Sequence, residues 1–195
     1  MAEISVRHAT RRDATDLVAF VDMAGEGLPS HFWAELAAPG QGPFEVGRNR
    51  ALRDEGAFAW RNAWIAEVDG DVAGSLVCYR IEDEVDLSSL ARMSRLARDL
   101  TLLEAEAPGY WYVNVLAIYP EYRGLGVASA LLAHAEALGR AAGAKGMAII
   151  VASENEPAVR LYAKTGYREQ TRRPLVAYPG FPRGGDWVLL TKPHS

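Results

Sequence analysis

Hydrophobic and polar positions along this chain switch repeatedly between a period of two and a period near 3.6. Ile4-Ser5-Val6-Arg7 alternates and predicts a short strand. Thr10 and Asp13 have capping-box spacing, with Asp in place of the usual Glu or Gln, and open a helix over about 11–23. Ala24-Gly25-Glu26-Gly27-Leu28-Pro29 breaks that helix. Pro29 suits the first turn of a second, short helix ending near Ala37. A loop over 38–43 leads to helical spacing over 45–55, with Gly56 as its stop. The runs 63–68 and 72–81 predict two strands, joined at Asp69-Gly70-Asp71 by a strong hairpin signal. Leu87, Leu90, Ala91, Ser94, Ala97 and Leu100 recur at helical intervals and predict a helix over 86–104. The run 110–118 is apolar on both faces, as a central strand is.

The second half continues in the same manner. Ala128, Leu131, Leu132, Ala135, Leu138 and Ala142 line one face of a helix. Residues 147–151 read as a buried strand. Asn155-Glu156-Pro157 starts another helix, since Asn caps well and Pro fits a first turn, and Gly166 ends it. Strands over 167–176 and 187–191 close the chain, joined by a Pro/Gly-rich loop over 177–185. Interleaved strands and helices place the chain in the α/β (α+β) class. The expectation is a single domain over 1–195, with helical elaborations at about 24–60 and 86–104.

Composition narrows the function classes. A net charge of -4 over 195 residues, with scattered basic side chains, argues against nucleic-acid binding. Cys78 stands alone, so no internal disulfide forms. His8, His31, His134 and His194 show no ligand spacing, so no metal site is expected. The first residues lack a signal-peptide pattern and no apolar run is long enough to span a bilayer, so the expected location is cytoplasmic, away from membranes.

The chemistry concentrates at residues 117–132, where a strand enters a glycine-rich turn that opens a helix. Glycines let backbone amides approach a ligand, and a helix start attracts phosphate. A Walker A loop is excluded because no Gly-Lys-Ser/Thr follows. A dinucleotide fingerprint is disfavoured because Ser129 stands where its third glycine belongs and no acid lies about 20 residues on. The remaining reading is acetyl-coenzyme A, which Arg123-x-x-Gly126-x-Ala128 fits.

At these residues the chain resembles the GCN5-related N-acetyltransferase (GNAT) superfamily. A second block, Asn155 to Tyr167, is also similar to the family's, and the order of elements matches from about Ile4 to Lys192. The resemblance implies a mixed, mostly antiparallel central sheet flanked by helices. It implies direct acetyl transfer from acetyl-CoA to a primary amine in a ternary complex, without metal.

The resemblance implies these roles. Arg123, Gly124, Leu125, Gly126, Val127, Ala128 and Ser129 form the pyrophosphate cradle. The backbones of Leu116, Ala117 and Ile118 pair with the pantetheine arm, with an N–H near Leu116 aimed at the thioester oxygen. Asn155 belongs on the cofactor arm, and Tyr162 near its sulfur protonates the leaving thiolate. The base is open: Tyr112 and Asn114 point inward from the central strand but are not carboxylates. Asn114 stays a candidate catalytic residue, and Glu26 is the alternative base in the loop after the first helix.

Phe32, Trp33, Phe44, Phe58, Trp60 and Trp64 either line an acceptor site or belong to the core, the core being the simpler reading. Tyr178, Phe181 and Arg183 sit in the late loop, where Arg183 either meets an acceptor carboxylate or is simply exposed. The expected partners are acetyl-CoA, an amine-bearing acceptor and, at family level, a second copy in a homodimer. The alternative from another class is a non-catalytic acyl-CoA-binding or sensing module; a longer acyl group or a hydroxyl acceptor is a third reading.

Overall fold

The computed structural model describes residues 3–181 and 184–194. Seven strands form one mixed, mostly antiparallel sheet flanked by helices, in the order β1-β2-β3-β4-β5-β7-β6. The described chain resolves into two compact units. The first comprises 3–78, 114–135 and 178–181, the second 79–113, 136–177 and 184–194.

In the first unit, β1 (Ile4–His8) runs antiparallel to β2 (Ala63–Val68), from Ile4↔Val68 to His8↔Trp64. β2 turns into β3 (Asp71–Arg80) through Asp69 and Gly70, at φ 51° and 91°. Two positive φ values in sequence make the tight turn whose twist matches the strands it joins. The C-terminal part of β4 (Trp111–Ile118) also belongs here. A Cβ at Gly74 would stand 2.8 Å from the Ala117 carbonyl oxygen, so glycine is what admits this approach.

The helices α1 (Ala14–Ala24), α2 (Leu28–Leu36) and α3 (Pro43–Ala51) enclose the core of this unit. That core gathers Leu17, Val18, Val21, Trp33, Val46, Ile65, Val77 and Val115. The third helix runs shorter than the 45–55 expected, and begins earlier because Pro43 is pre-set for a first turn. Trp33 lies flat against Gly47, where an added Cβ would meet the indole at 2.8 Å. Phe58 and Trp60 pack on the same core and Phe44 is exposed. Trp33, Phe58 and Trp60 are therefore packing residues, as the simpler reading of that cluster expects.

Thr10 and Asp13 form the expected capping box, which closes a single 3-10 turn over Arg11–Asp13 before α1 begins. Asp13 is buried, and burial alone would raise its carboxyl pKa. The Arg7 guanidinium at 2.7 Å, together with the Thr10 N–H and hydroxyl, outweighs this and holds it at about 2. A depressed native pKa contributes stability above the unfolded value, and the contribution is lost as pH falls through about 4 toward 2. Asp13→Ala is expected to cost about 2 kcal/mol at neutral pH, a value discounted for the partly exposed Arg7. Urea unfolding at pH 7 and pH 2.5 tests this: the gap between native protein and variant should close at the lower pH.

In the second unit, β4 pairs in parallel with β5 (Gly146–Ala152) at Trp111↔Met147, Tyr112↔Ala148 and Val113↔Ile149. The register stops there, although β4 runs on to Ile118. β5 pairs antiparallel with β7 (Asp186–Pro193), and β7 with β6 (Arg168–Pro174). Charged side chains crowd β6, which suits an edge strand. The helix α4 (Arg95–Ala105) packs on β5, β6 and β7. It is shorter than the 86–104 expected. Met93 is extended, the Ser94 hydroxyl caps Ala97 N–H, and the Asp86 carboxylate accepts Ser88 N–H, so only a short turn at Leu90–Arg92 precedes it.

Candidate functional site

The glycine-rich segment lies within the first unit. After β4 a short turn, Pro120–Tyr122, leads to Arg123, and α5 (Val127–Ala141) begins beyond two glycines at positive φ, Gly124 at 79° and Gly126 at 95°. Its hydrogen-bond ladder opens with Ala130 N–H donating to the Gly126 carbonyl at 3.0 Å. The N–H groups of Val127, Ala128 and Ser129 therefore have no acceptor within the helix. The first turn carries no acidic residue. Val127 is buried and anchors the start, whereas Leu125, 49% exposed, rides on top of the turn. The donor set, the helix dipole and the missing acid together fit a pyrophosphate.

Arg123 closes this turn. Its Nε donates to the Ile118 carbonyl at 3.3 Å, and its Nη2 reaches Met23 Sδ at 3.9 Å. Along β4, Val115 and Ala117 are buried, while Asn114, Leu116 and Ile118 are half-buried, so the strand keeps one face in the core. Tyr119 donates N–H to Ala73 O at 2.9 Å and holds the strand end against β3.

Glu26 also falls in the first unit, in the loop between α1 and α2. It is a non-glycine residue at φ 53°, a left-handed conformation. The Tyr178 hydroxyl donates to the carbonyls of Gly25 and Glu26, each at 3.3 Å. Tyr178 stacks on Phe181 at 5.5 Å, and burial, with Glu26 and Asp22 nearby, pushes its phenol up to about 12. The late loop is thereby pinned to the loop that carries Glu26, a tie that the sequence did not disclose. Arg183 lies outside the described residues.

Asn155 and Tyr162 belong to the second unit. Asn155 caps α6 (Glu156–Lys164): its Oδ1 accepts Ala158 N–H at 3.3 Å. Asn155 is thus the residue before the helix, the cap that the sequence predicts. Tyr162 is 5% exposed, and burial raises its phenol pKa well above 10. Its ring contacts Tyr167 at 5.7 Å. Tyr112 lies near it, and Tyr79 and Glu104 lie in turn near Tyr112; the sequence singled out only Tyr112 as a candidate. Glu104 was legible in principle: it stands four residues after Leu100 and so shares the apolar stripe of α4.

Among the described residues, no group of His, Cys, Asp and Glu could hold a metal ion, and no helix is long and apolar enough to cross a membrane. Cys78 is buried within β3 at 1% exposure.

Fold and site together define an α/β protein whose central strand runs through a glycine turn into a helix start whose first amides lack helical acceptors. Residues 31–167 match the acetyltransferase (GNAT) family, and the chain belongs to that family. Solved structures agree in fold. The N-acetyltransferase from Staphylococcus aureus Mu50 is 19% identical, with 96% of this chain and 99% of that one covered and a TM-score of 0.67. The acetyltransferase of GNAT family from Streptococcus pneumoniae is 20% identical, with 98% and 100% covered and a TM-score of 0.57. The yncA protein of Salmonella typhimurium, solved with its cofactor acetyl-CoA, is 17% identical, with 97% and 93% covered and a TM-score of 0.61. No sequence among the curated proteins matches the chain.

Proposed function

We propose that this protein moves an acetyl group from acetyl-CoA to a primary amine, directly and in a ternary complex. One observation carries the reading: the start of α5 presents N–H groups without helical acceptors behind two glycines at positive φ, at the end of β4. Membership of the family supports it, as does the complex of the similar yncA protein with acetyl-CoA. Bound there, acetyl-CoA would supply the activated thioester.

The amides of Leu125, Gly126, Val127, Ala128 and Ser129 hold the pyrophosphate, with Arg123 and Gly124 keeping the turn in shape. The backbones of Leu116, Ala117 and Ile118 take the pantetheine arm in the manner of an added strand. That β4 runs on beyond its register with β5 supports this role. The Leu116 N–H stabilises charge developing on the thioester oxygen, a donor worth about 10² to 10³ in rate. Asn155 fixes the start of α6, and Tyr162 donates a proton to the departing sulfur. Glu26 and Asn114 serve the acceptor amine. The burial of Cys78 favours direct transfer over a covalent acyl-enzyme.

Thiol release from acetyl-CoA across an amine panel tests the reading. Release with one class of amine is the expected result and identifies the acceptor chemistry. Silence across the panel, with acetyl-CoA still bound, would instead favour an acyl-CoA-binding module or an acceptor outside the panel. A pH–rate profile unchanged by Glu26→Gln would remove Glu26 as the base.

A further inference from the structure

Tyr119 joins the end of β4 to the glycine turn, and each of its parts is engaged. Its N–H donates to the Ala73 carbonyl on β3 at 2.9 Å. Its carbonyl accepts the Tyr122 N–H at 3.0 Å, which opens the turn. Its ring stands 4.3 Å, centroid to centroid, from Phe20, a fully buried residue of α1. Its hydroxyl donates to Asp16 Oδ1 at 3.3 Å, across 103 residues of chain. Burial and the Asp16 carboxylate both raise the phenol pKa, so the hydroxyl stays a donor at neutral pH. All these partners belong to the first unit, as does the start of α5.

The turn has little else to hold it. Gly124, Leu125 and Gly126 are exposed, and a Cβ at Gly124 would meet nothing within 4 Å. Glycines lose more freedom on ordering than other residues, so a turn built on two of them keeps one shape only where its ends are fixed. Val127, buried in the core, fixes the far end. Tyr119 fixes the near end, and it does so through α1. A phenylalanine would keep the ring contact, but only a hydroxyl reaches Asp16. The same helix makes a second tie, from Met23 Sδ to Arg123 Nη2 at 3.9 Å. Asp16 stands in the first turn of α1 and Met23 in its last, so the helix grips the strand end and the turn at two separate points.

We propose that Tyr119 is a positioning residue for acetyl-CoA: its hydroxyl, bonded to Asp16, fastens the glycine turn to α1 and keeps the amides at the start of α5 aimed at the pyrophosphate. The proposal rests on the start of α5 being the pyrophosphate site. In this role Tyr119 acts through the turn and not on the reacting atoms. A turn correctly placed only part of the time binds with its intrinsic dissociation constant divided by that fraction. Loss of the tie therefore shows in cofactor affinity and not in the chemical step.

The test uses the full chain, with calorimetric titration of acetyl-CoA and thiol release at saturating cofactor. Tyr119→Phe keeps the ring on Phe20 and both backbone bonds, so folding should survive, which a melting curve verifies. It should raise the acetyl-CoA dissociation constant about fivefold and leave kcat within about twofold. Asp16→Ala should do the same. The double variant should lose no more than the worse single one, because both break one bond. Asp16→Asn, which keeps an oxygen for the hydroxyl, should hold affinity within about twofold of the native protein. Native affinity in Tyr119→Phe, or losses that multiply in the double variant, overturns the proposal. So does a fall in melting temperature and kcat with affinity unchanged, the mark of a merely structural residue. Gly126→Ala separates the two readings. If it weakens binding while Tyr119→Phe does not, only the role of Tyr119 falls. If it leaves affinity intact, the phosphate site falls, and the role of Tyr119 with it.

Discussion

Tyr162→Phe should lower kcat by about 10² to 10³ while leaving acetyl-CoA affinity within about twofold. The substitution removes one hydroxyl and keeps the ring that packs, 5% exposed, near Tyr167. Rate should therefore fall without loss of fold or of cofactor binding. Burial keeps the phenol protonated at neutral pH, since it disfavours the phenolate. That same burial makes it a reluctant acid. A thiolate whose conjugate acid has a pKa near 8.5 does not by itself take a proton from a phenol well above 10. Donation becomes feasible when another proton arrives as the first departs. Stopped-flow thiol release measures kcat, and equilibrium titration measures affinity; normal turnover in the variant would remove Tyr162 from the reaction.

The need for a replacement proton links the two halves of the chemistry. An alkylamine reaches the protein largely as an ammonium, with a pKa near 10.4, and must lose a proton to react. That first proton leaves to solvent; the second, shed as the nitrogen–carbon bond forms, is the one that balances the proton Tyr162 gives to sulfur.

Much of this was legible in the sequence where local chemistry decides. The Thr10–Asp13 box, the Asn155 cap and the Asp69-Gly70 turn each depend on a few adjacent residues, and each appears as read. The strand-to-helix glycine turn was legible for the same reason. The failures lie where tertiary contacts decide. The 86–104 periodicity continued through Ser94, whose cap starts α4 afresh. The early aromatics were ambiguous because a ring that packs and a ring that binds look alike in sequence; Trp33 against Gly47 settles one of them. The pairing of Glu104 with Tyr79 was not legible, since the two stand 25 residues apart and nothing local joins them.

Gly126→Ala should raise the acetyl-CoA dissociation constant by about 30- to 100-fold and leave kcat at saturation within about threefold, a change of roughly 2 to 3 kcal/mol in binding. The position is roomy: an added Cβ would find only Ile4 Cδ1, at 3.9 Å. The obstacle is the backbone, at φ 95°, which an L-residue adopts only with strain of about 1 to 3 kcal/mol. Exposed as it is, the loop can relieve that strain by rotating, and rotation turns the amides at the start of α5 away from the pyrophosphate. Stability should fall little, because Val127 still anchors the helix in the core. The signature is thus the reverse of that of Tyr162→Phe, with affinity lost and turnover kept. Calorimetric titration with acetyl-CoA and with free coenzyme A should show equal losses, since both carry the same pyrophosphate. Unchanged affinity for both would mean that the helix start is not the phosphate site.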